Sequence, residues 1–540
     1  MESPVAFNKT ESRDLPNGRT PVLSIVAKNS VANLAKMAAL SITVFVLPPI
    51  LVRVLDKSSY ATWVLILQIG TYVTLFDGSM QSAISRFVAR SRGLGDDNYM
   101  GRMLSSSGVI MLAAAVITAA LAAIGSWQLD HIFPGIPSPI RPDAQHALLI
   151  FGLSLAASLP FSTLAGAFLG LQRNEVNALA GSVGRILGAI GAAWAAYHHR
   201  SLSVMALWMA FGYLLQAAMF LQAWLRLRLH GLVRWTLVTR NALREFASFC
   251  SASLATQLGG VLITGLDMPI VAAFDFHSAA YYAVAATVST MLTVPQSAVV
   301  NTLIPVAAGI SATSDPDRLG AFVLKTTRYS TAILCLIVFP LLLGMSAFLR
   351  VWVGPEYARH TLSLATLLVV AQMIRLTLLP YAAAGFAAGQ QQRMLVSPLG
   401  EGVVNLICSL VGAAYLGAEG VALGTLIGAC VGVLLHFINS MPRTDELLFS
   451  RGKLIAAGIL KPVLCCSPAF FVVLSLEKHI PGQLTLAALI CGGELLTFLL
   501  LWKLNFDARE RTEIAELLLR SMRSLNRRLA KPRGGFRCDA

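Results

Sequence analysis

The sequence predicts an all-α polytopic membrane protein of about fourteen transmembrane helices, arranged as two six-helix lobes in a pseudo-two-fold repeat with two extra helices. Three observations predict this fold class. The 540-residue chain is 56% hydrophobic and only 13% charged, with a mean hydropathy of +0.68, which is too apolar for a soluble globular protein. Apolar runs of roughly 20 residues, the length that crosses about 30 Å of hydrocarbon, follow one another along it. The chain also resembles itself at an offset near 220 residues.

The apolar runs define fourteen predicted spans, and their continuity favours helices over the short alternating strands of a barrel. The first seven cover residues 30–55, 60–89, 104–126, 145–171, 175–197, 202–225 and 243–274. The second seven cover residues 278–308, 326–349, 361–388, 396–416, 420–439, 454–476 and 483–502.

Short sequence matches relate spans one to six to spans seven to twelve. Six is an even number, so both halves enter the membrane from the same side, and the axis relating them lies along the membrane normal. The matching features are scaffold residues, whereas the charges are not repeated: Arg185 falls opposite Asn405. The matched segments are Pro49-Ile50 with Pro269-Ile270, Leu159-Pro160-Phe161 with Leu379-Pro380-Tyr381, and Gly191-Ala-Ala-Trp194 with Gly412-Ala-Ala-Tyr415.

The spans and repeats set the predicted domain organisation. Residues 1–29 form a flexible N-terminal segment, 30–230 the N-lobe with spans 1–6, and 243–440 the C-lobe with spans 7–12. Residues 454–503 hold spans 13 and 14, 506–533 form a basic amphipathic tail, and 534–540 are expected to be disordered. A solvated, irregular tail is the alternative for 506–533.

The formal net charge of +15 is spread over alternate loops and both termini. Five arginines cluster in the loop after span six and at the start of span seven, and the tail is strongly basic. This is the positive-inside pattern of a multi-pass protein with N- and C-termini in the cytoplasm. Nucleic acid is not an expected partner, because the basic residues do not form one patch.

No catalytic or cofactor motif is recognisable in the sequence. It has no phosphate loop, nucleophile elbow, zinc-binding pair or dinucleotide fingerprint. The eight cysteines show no Cys-x-x-Cys spacing and are interpreted as core thiols. The sequence therefore predicts a transporter rather than an enzyme, without a cofactor or metal centre.

Basic side chains inside the spans are the first candidate functional residues, because an intramembrane charge is costly unless it faces protein or water. Arg185 and Arg375 fall near the midplane, Lys36 in the inner third of span one, and Arg86 near the inner end of span two. We interpret the four as a cationic, substrate-binding cavity for a phosphate or pyrophosphate, which a guanidinium fork fits well. The alternatives are an internal ion pair, such as Arg185 with Glu401, and a side chain of Arg86 that reaches the interface.

Acidic side chains inside the spans are candidates for ion coupling. Asp77, Asp267 and Glu401 lie within spans two, seven and eleven. A carboxylate there could bind a proton or a sodium ion as a cavity opens. The alternative for each is a capping or helix-packing role, which is favoured for Asp77 because Gly78 follows it.

The first hundred residues resemble the opening of Wzx-like polysaccharide-biosynthesis proteins, the O-antigen flippases of the multidrug/oligosaccharidyl-lipid/polysaccharide (MOP) exporter superfamily. The resemblance is architectural in later spans, and it departs from the family at Ser58-Ser59 and in the long basic tail. Three features carry the resemblance. A proline and an arginine (Pro49 and Arg53) lie near the end of span one, and a tyrosine and a tryptophan (Tyr60 and Trp63) open span two. Within span two, Asp77-Gly78 is followed by Arg86.

The resemblance implies a fold like that of MATE and MurJ, and a function in moving undecaprenyl-pyrophosphate-linked oligosaccharide across the bacterial inner membrane by alternating access. It implies a role in lipopolysaccharide or exopolysaccharide biosynthesis, with a polysaccharide polymerase or glycosyltransferase as partner and membrane lipid around the chain. Two alternatives stay open: a MATE-type multidrug or cation antiporter, and a polytopic glycan polymerase or ligase.

Overall fold

Helices account for all the regular structure in the residues that the computed structural model describes, namely 43–227, 233–312, 315–445, 447–477, 482–512 and 516. Within these ranges, ten helices are long and apolar enough to cross a membrane, and two shorter apolar helices cover Thr43–Val54 and Leu258–Phe274. The prediction of an all-α polytopic membrane protein is therefore confirmed.

Each predicted span coincides, over its described residues, with one helix or with consecutive helical segments, numbered here by span. The first six are α1 Thr43–Val54, α2 Lys57–Leu94, α3 Asp97–Trp127, α4 Ser138–Gly170, α5 Asn174–His199 and α6 Leu202–Arg226. The next four are α7 Arg240–Gly260 with its continuations Val261–Gly265 and Asp267–Phe274, α8 Phe276–Met291 with Thr293–Ser311, α9 Pro316–Leu343, and α10 Pro355–Leu376 with Leu379–Ala387. The last four are α11 and α12 within Val396–Leu435, α13 Leu454–Leu460 with Lys461–Glu477, and α14 Gln483–Leu500 with Leu501–Asn505.

The ten long helices cover eleven of the fourteen predicted spans, because one of them contains two spans. The other three spans correspond to the shorter or interrupted helices α1, α7 and α8. Helices α11 and α12 run on within Val396–Leu435, and only Gly417, with φ 56° and ψ −135°, separates them. That positive φ favours glycine. Helix α7 is interrupted by a π-helical turn, Val261–Gly265, and α8 is broken at Leu292.

Several helix breaks coincide with intramembrane prolines, as expected for a residue that lacks a backbone N–H donor. A 3₁₀ turn, Leu159–Phe161, interrupts α4 at Pro160, and α10 is interrupted just before Leu379–Ala387, whose second residue is Pro380. The π-helical turn of α7 ends four residues before Pro269. Pro340, in contrast, lies inside the continuous helix α9.

Small residues allow close approach between neighbouring helices. A Cβ placed on Gly184 of α5 would lie 2.5 Å from the carbonyl oxygen of Gly212 in α6, and one on Gly170 of α4 would lie 2.6 Å from that of Ser85 in α2. Any side chain at these glycines would force the backbones apart. The small residues at these positions therefore serve close helix packing.

The chain forms two compact units. The first comprises Met1–Ala298, Leu349–Gln372 and Leu395–Leu435, and the second comprises Val299–Phe348, Met373–Met394 and His436–Ala540. The predicted N-lobe and C-lobe boundaries stay a prediction. The N-terminal segment 1–29 and the terminal residues 534–540 lie outside the described residues, as does most of the predicted tail helix, of which 506–512 and 516 are described.

Candidate functional site

A polar cavity of about 200 Å³ lies in the first unit between α2, α4, α5 and α6. We call it the α2–α6 cavity. Its lining combines one acidic and one basic side chain with amides, hydroxyls and aromatic rings, and it lies between helices that are long and apolar enough to cross a membrane. The polar side chains that line it are Thr74, Asp77, Gln81, Ser158, Ser162, Asn177, Arg185, Tyr213 and Gln216.

Two oxygen atoms on the cavity wall are buried without a hydrogen-bond partner among the described residues: Asp77 Oδ1 and Asn177 Oδ1. The other carboxylate oxygen of Asp77 accepts a hydrogen bond from Gln81 Nε2 at 2.9 Å, one helical turn along α2. The amide nitrogen of Asn177 donates to the carbonyl oxygen of Ala165 at 2.9 Å, which fixes the orientation of the amide. Only 8% of Asn177 is exposed. Both side chains are therefore held in place with one acceptor atom unused.

Arg185 supplies the positive charge of the cavity. It follows Gly184, whose close contact with α6 brings α5 near Gln216 and Tyr213. Tyr213 of α6 lines the cavity together with Arg185 and Asp77. The sequence assigned Arg185 to substrate and Asp77 to ion coupling, but the fold places them on the wall of one cavity.

A second buried polar cluster, also in the first unit, surrounds Asp267 at the start of the last part of α7. Asp267 is 6% exposed. Its Oδ1 accepts a hydrogen bond from Asn405 Nδ2 of α11 at 3.2 Å, and its Oδ2 accepts one from Thr425 Oγ1 of α12 at 3.0 Å. Three helices therefore meet at this carboxylate.

The π-helical turn Val261–Gly265 adds backbone oxygens to this cluster. A π turn changes the backbone hydrogen-bond register, so carbonyls become available to side chains. Asn405 Nδ2 also lies 2.6 Å from the carbonyl oxygen of Ile263 and 3.3 Å from that of Leu262. A carboxylate, backbone carbonyls and a hydroxyl are the oxygen ligands that a hard cation prefers.

Glycines of α12 bring the helix carrying Thr425 against α11. A Cβ on Gly428 would lie 2.8 Å from Asn405 Cβ, and one on Gly424 would lie 2.5 Å from Ser409 Oγ. Ser409 Oγ in turn donates to Asn405 Oδ1 at 3.1 Å. The glycine face therefore sets the position of Asn405.

The other predicted site residues are distributed over the two units. Arg86 is exposed on α2, and its guanidinium lies 4.7 Å from the ring centre of Phe249 in α7. Glu401 is 5% exposed and lies one turn before Asn405 on α11. Arg375 is half-buried on α10 in the second unit, whereas Arg185 belongs to the first, and Lys36 lies outside the described residues. The joint cationic site of Lys36, Arg86, Arg185 and Arg375 therefore stays a prediction.

Sequence reasoning missed the uncharged polar residues of both clusters. Asn177 and Gln216 lie on the cavity wall, and Asn405 and Thr425 bind Asp267. A signal was available, because polar side chains within apolar runs are buried in protein more often than exposed to lipid. It does not identify which of many such residues meet in space.

Solved structures of membrane transporters share the fold of this chain. Lipid II flippase MurJ in an inward closed conformation superposes with a TM-score of 0.66 at 16% identity, covering 88% of this chain and 98% of its own. An inward-facing multidrug resistance MATE family transporter of the MOP superfamily gives 0.63 at 15% identity, covering 77% and 98%. The Vibrio cholerae MATE transporter VcmN gives 0.57 at 13% identity, covering 78% and 98%.

No protein-family profile and no curated protein matches the sequence. The structural likeness therefore concerns the fold: a multi-pass membrane protein with the architecture of MATE transporters and of MurJ.

Proposed function

We propose that this protein is a flippase that moves lipid-linked oligosaccharide, carried on undecaprenyl pyrophosphate, across the bacterial inner membrane. The observation that carries the proposal is Arg185, a guanidinium on the wall of a polar cavity and midway along the candidate membrane span Asn174–His199. An intramembrane arginine that faces a cavity marks a substrate path in membrane transporters. The resemblance of the first hundred residues to Wzx-like proteins, and a fold shared with a lipid flippase, support the same class.

In this proposal, the glycan enters from the cytoplasm and its pyrophosphate contacts Arg185, Arg375 and Lys36, with Arg86 nearer the cytoplasmic entrance. Guanidinium groups donate paired hydrogen bonds to phosphate oxygens. The polyprenyl tail stays in the bilayer, because hydrocarbon gains nothing by leaving it. Alternating access by the two repeats then exposes the headgroup outside.

The Asp267 cluster is the proposed coupling site. Sodium would be coordinated by the Asp267 carboxylate, Thr425 Oγ1 and the carbonyl oxygens of the π-helical turn, and a proton would bind the carboxylate alone. Binding of sodium or of a proton would change the hydrogen bond between Asp267 and Asn405, and thereby the contact of α7 with α11. Glu401, one turn away on α11, is the second coupling candidate.

The topology of the proposal has both termini in the cytoplasm, as the basic loops predict. The proposed partners are glycosyltransferases on the cytoplasmic side, which supply the lipid-linked glycan, and a polysaccharide polymerase on the outer side, which consumes it.

Reconstitution tests this function directly. Proteoliposomes containing an undecaprenyl-pyrophosphate oligosaccharide should show transfer of the glycan between leaflets, measured by lectin accessibility. Arg185→Ala should reduce the rate by about 100-fold or more if one desolvated charge contact worth about 3 kcal/mol is lost. Arg318→Ala, at an exposed position in the first turn of α9, is the matched control. Wild-type rates in Arg185→Ala would exclude the cationic cavity.

A second candidate function is cation-coupled multidrug export. The observation favouring it is the structural likeness to MATE transporters, together with buried carboxylates at Asp77 and Asp267. Efflux of ethidium from proteoliposomes, driven by a sodium or proton gradient and without glycan transfer, would favour this function.

A further inference from the structure

We propose that the α2–α6 cavity is a sugar subsite that binds one monosaccharide unit of the transported headgroup. The inference rests on the proposed function, in which Arg185 contacts the pyrophosphate, and assigns the rest of the cavity to a sugar of the glycan instead of the coupling ion. It changes the expected role of Asp77 from ion coupling to hydrogen-bond acceptor.

The unused acceptors of the cavity define what a ligand must supply. Asp77 Oδ1 and Asn177 Oδ1 are both buried and accept no hydrogen bond of normal geometry from the described residues, with the Ser162 hydroxyl as a further polar neighbour of the Asp77 carboxylate. A buried acceptor without a donor is costly, so a ligand that donates hydrogen bonds is favoured there. Sugar hydroxyl groups can donate hydrogen bonds to these two oxygens. The Arg185 guanidinium and the amide nitrogen of Gln216, also on the wall, can donate hydrogen bonds to the oxygens of the sugar.

The charge of the cavity argues against a free cation. Arg185 and Asp77 line the same small volume with opposite charges. A free cation near the two acceptors is repelled by Arg185. A neutral polyhydroxyl ligand meets no such penalty.

The size and the aromatic residues of the cavity fit a single sugar ring. Its volume of about 200 Å³ is below the range typical of sites for drug-sized ligands, about 300–1,000 Å³. Tyr213, Phe161 and Phe220 on its wall offer flat apolar surfaces to the C–H groups of such a ring.

Gly78 provides a way to fill the cavity without disturbing the helix. It lines the cavity, and a Cβ placed there meets no atom within 4 Å. A leucine at this position projects into open space and also favours the helix. Gly93 lies on the same helix, away from the cavity, and its Cβ position is equally open, so Gly93→Leu is the matched control.

The experiment is saturation-transfer difference NMR of the full chain in lipid nanodiscs. The probes are methyl glycosides of a hexose, an N-acetylhexosamine and a hexuronic acid at millimolar concentration. We expect at least one glycoside to give a signal with wild type and with Gly93→Leu, and about tenfold weaker binding, equal to 1.4 kcal/mol, with Gly78→Leu. Asp77→Asn, which keeps the shape of the side chain, should weaken the same glycoside.

Three outcomes overturn the subsite. The first is that no glycoside gives a signal with wild type, and the second is that Gly78→Leu gives the same signals as wild type. The third is that glycosides do not bind, whereas sodium stabilises the protein thermally more than choline does and Asp77→Asn removes this stabilisation.

The glycan-transfer assay separates this inference from the proposed function. Glycan transfer without glycoside binding in the cavity overturns only the subsite, and glycoside binding without glycan transfer overturns only the flippase proposal.

Discussion

Tyr72 of α2 donates a hydrogen bond of 2.5 Å from its phenol oxygen to the carbonyl oxygen of Gly265 in α7. Gln68, one turn earlier on α2, donates to the same oxygen at 3.1 Å. The acceptor belongs to the π-helical turn and lies two residues before Asp267. A helix of the first sequence repeat is thereby tied to the proposed coupling site in the second.

Removing the hydroxyl group of Tyr72 should remove its hydrogen bond to Gly265 while the aromatic ring stays in place. We expect Tyr72→Phe to shift the sodium concentration for half-maximal transport by about fivefold, the equivalent of one hydrogen bond of about 1 kcal/mol. The measurement is glycan transfer against external sodium, with choline as replacement. Tyr415→Phe, at a side chain that is 83% exposed, should leave the sodium dependence unchanged. If Tyr72→Phe and wild type show the same dependence of glycan transfer on sodium concentration, the hydrogen bond to the π-helical turn has no role in ion coupling.

Asp267 should determine ion dependence, because its two oxygens are fixed by Asn405 and Thr425. We expect Asp267→Asn to remove the thermal stabilisation that sodium, or low pH, gives the purified protein. Asn405→Ala should weaken this stabilisation, because it releases the carboxylate from α11. The exposed Asp97 gives the control Asp97→Asn. Ion-dependent stabilisation that persists in Asp267→Asn would refute the coupling assignment.

Packing of α12 on α11 should be sensitive at Gly428. A Cβ there would lie 2.8 Å from Asn405 Cβ, so Gly428→Ala must push the helices apart and should destabilise the protein by about 1–3 kcal/mol. The same change at Gly108 of α3 meets no atom within 4 Å and should be neutral or stabilising. Thermal unfolding in detergent, monitored by intrinsic fluorescence, compares the two, and equal melting temperatures would contradict the close contact.

Glu510, just after α14, should make stability depend on pH. Burial raises the pKa of Glu510, but hydrogen bonds from the Asp507 backbone and Tyr329, with the charges of Arg328 and Lys325, outweigh it and hold the pKa below the ordinary 4.5. Because the folded-state pKa is depressed, this stabilisation is present above pH 4.5 and is lost as pH falls through the lower value.

Glu510→Gln tests this sign. The variant leaves the nearly buried Arg328 without its carboxylate, so we expect a loss of about 3 kcal/mol at pH 7. The melting temperatures of variant and wild type should converge as the pH falls below 4.5. Asp507→Asn, which keeps the backbone hydrogen bond to Glu510, is the control. A difference that stays constant with pH would exclude the ion pair as its source.

Much of the fold could be read from the chain because hydrophobic length and small-residue spacing are local properties. The run at 396–439, for example, contains both the span lengths and the glycines Gly420, Gly424 and Gly428 that pack α12 on α11. The interruption of α7 was only partly visible. Pro269 predicts a bend, but the π-helical turn lies ahead of it, at Val261–Gly265.

The candidate site was less predictable, because side-chain partners depend on which helices become neighbours. Asp77 and Arg185 are 108 positions apart, and nothing local to either shows that α2 and α5 line one cavity. In the sequence, Asn405 is likewise only one polar residue within an apolar run. In the structure, its Nδ2 lies 3.2 Å from Oδ1 of Asp267 in α7.

A multi-pass helical membrane protein, its spans, its internal repeat and its intramembrane charges could be predicted from the sequence, because the cost of placing polar groups in hydrocarbon acts on every residue of a span. Three properties could not be predicted: which charges share a cavity wall, which carbonyls of α7 accept side-chain hydrogen bonds, and which acceptors lack a donor among the described residues. Those properties depend on distances of a few ångströms between helices far apart in the chain, and helix packing alone fixes them.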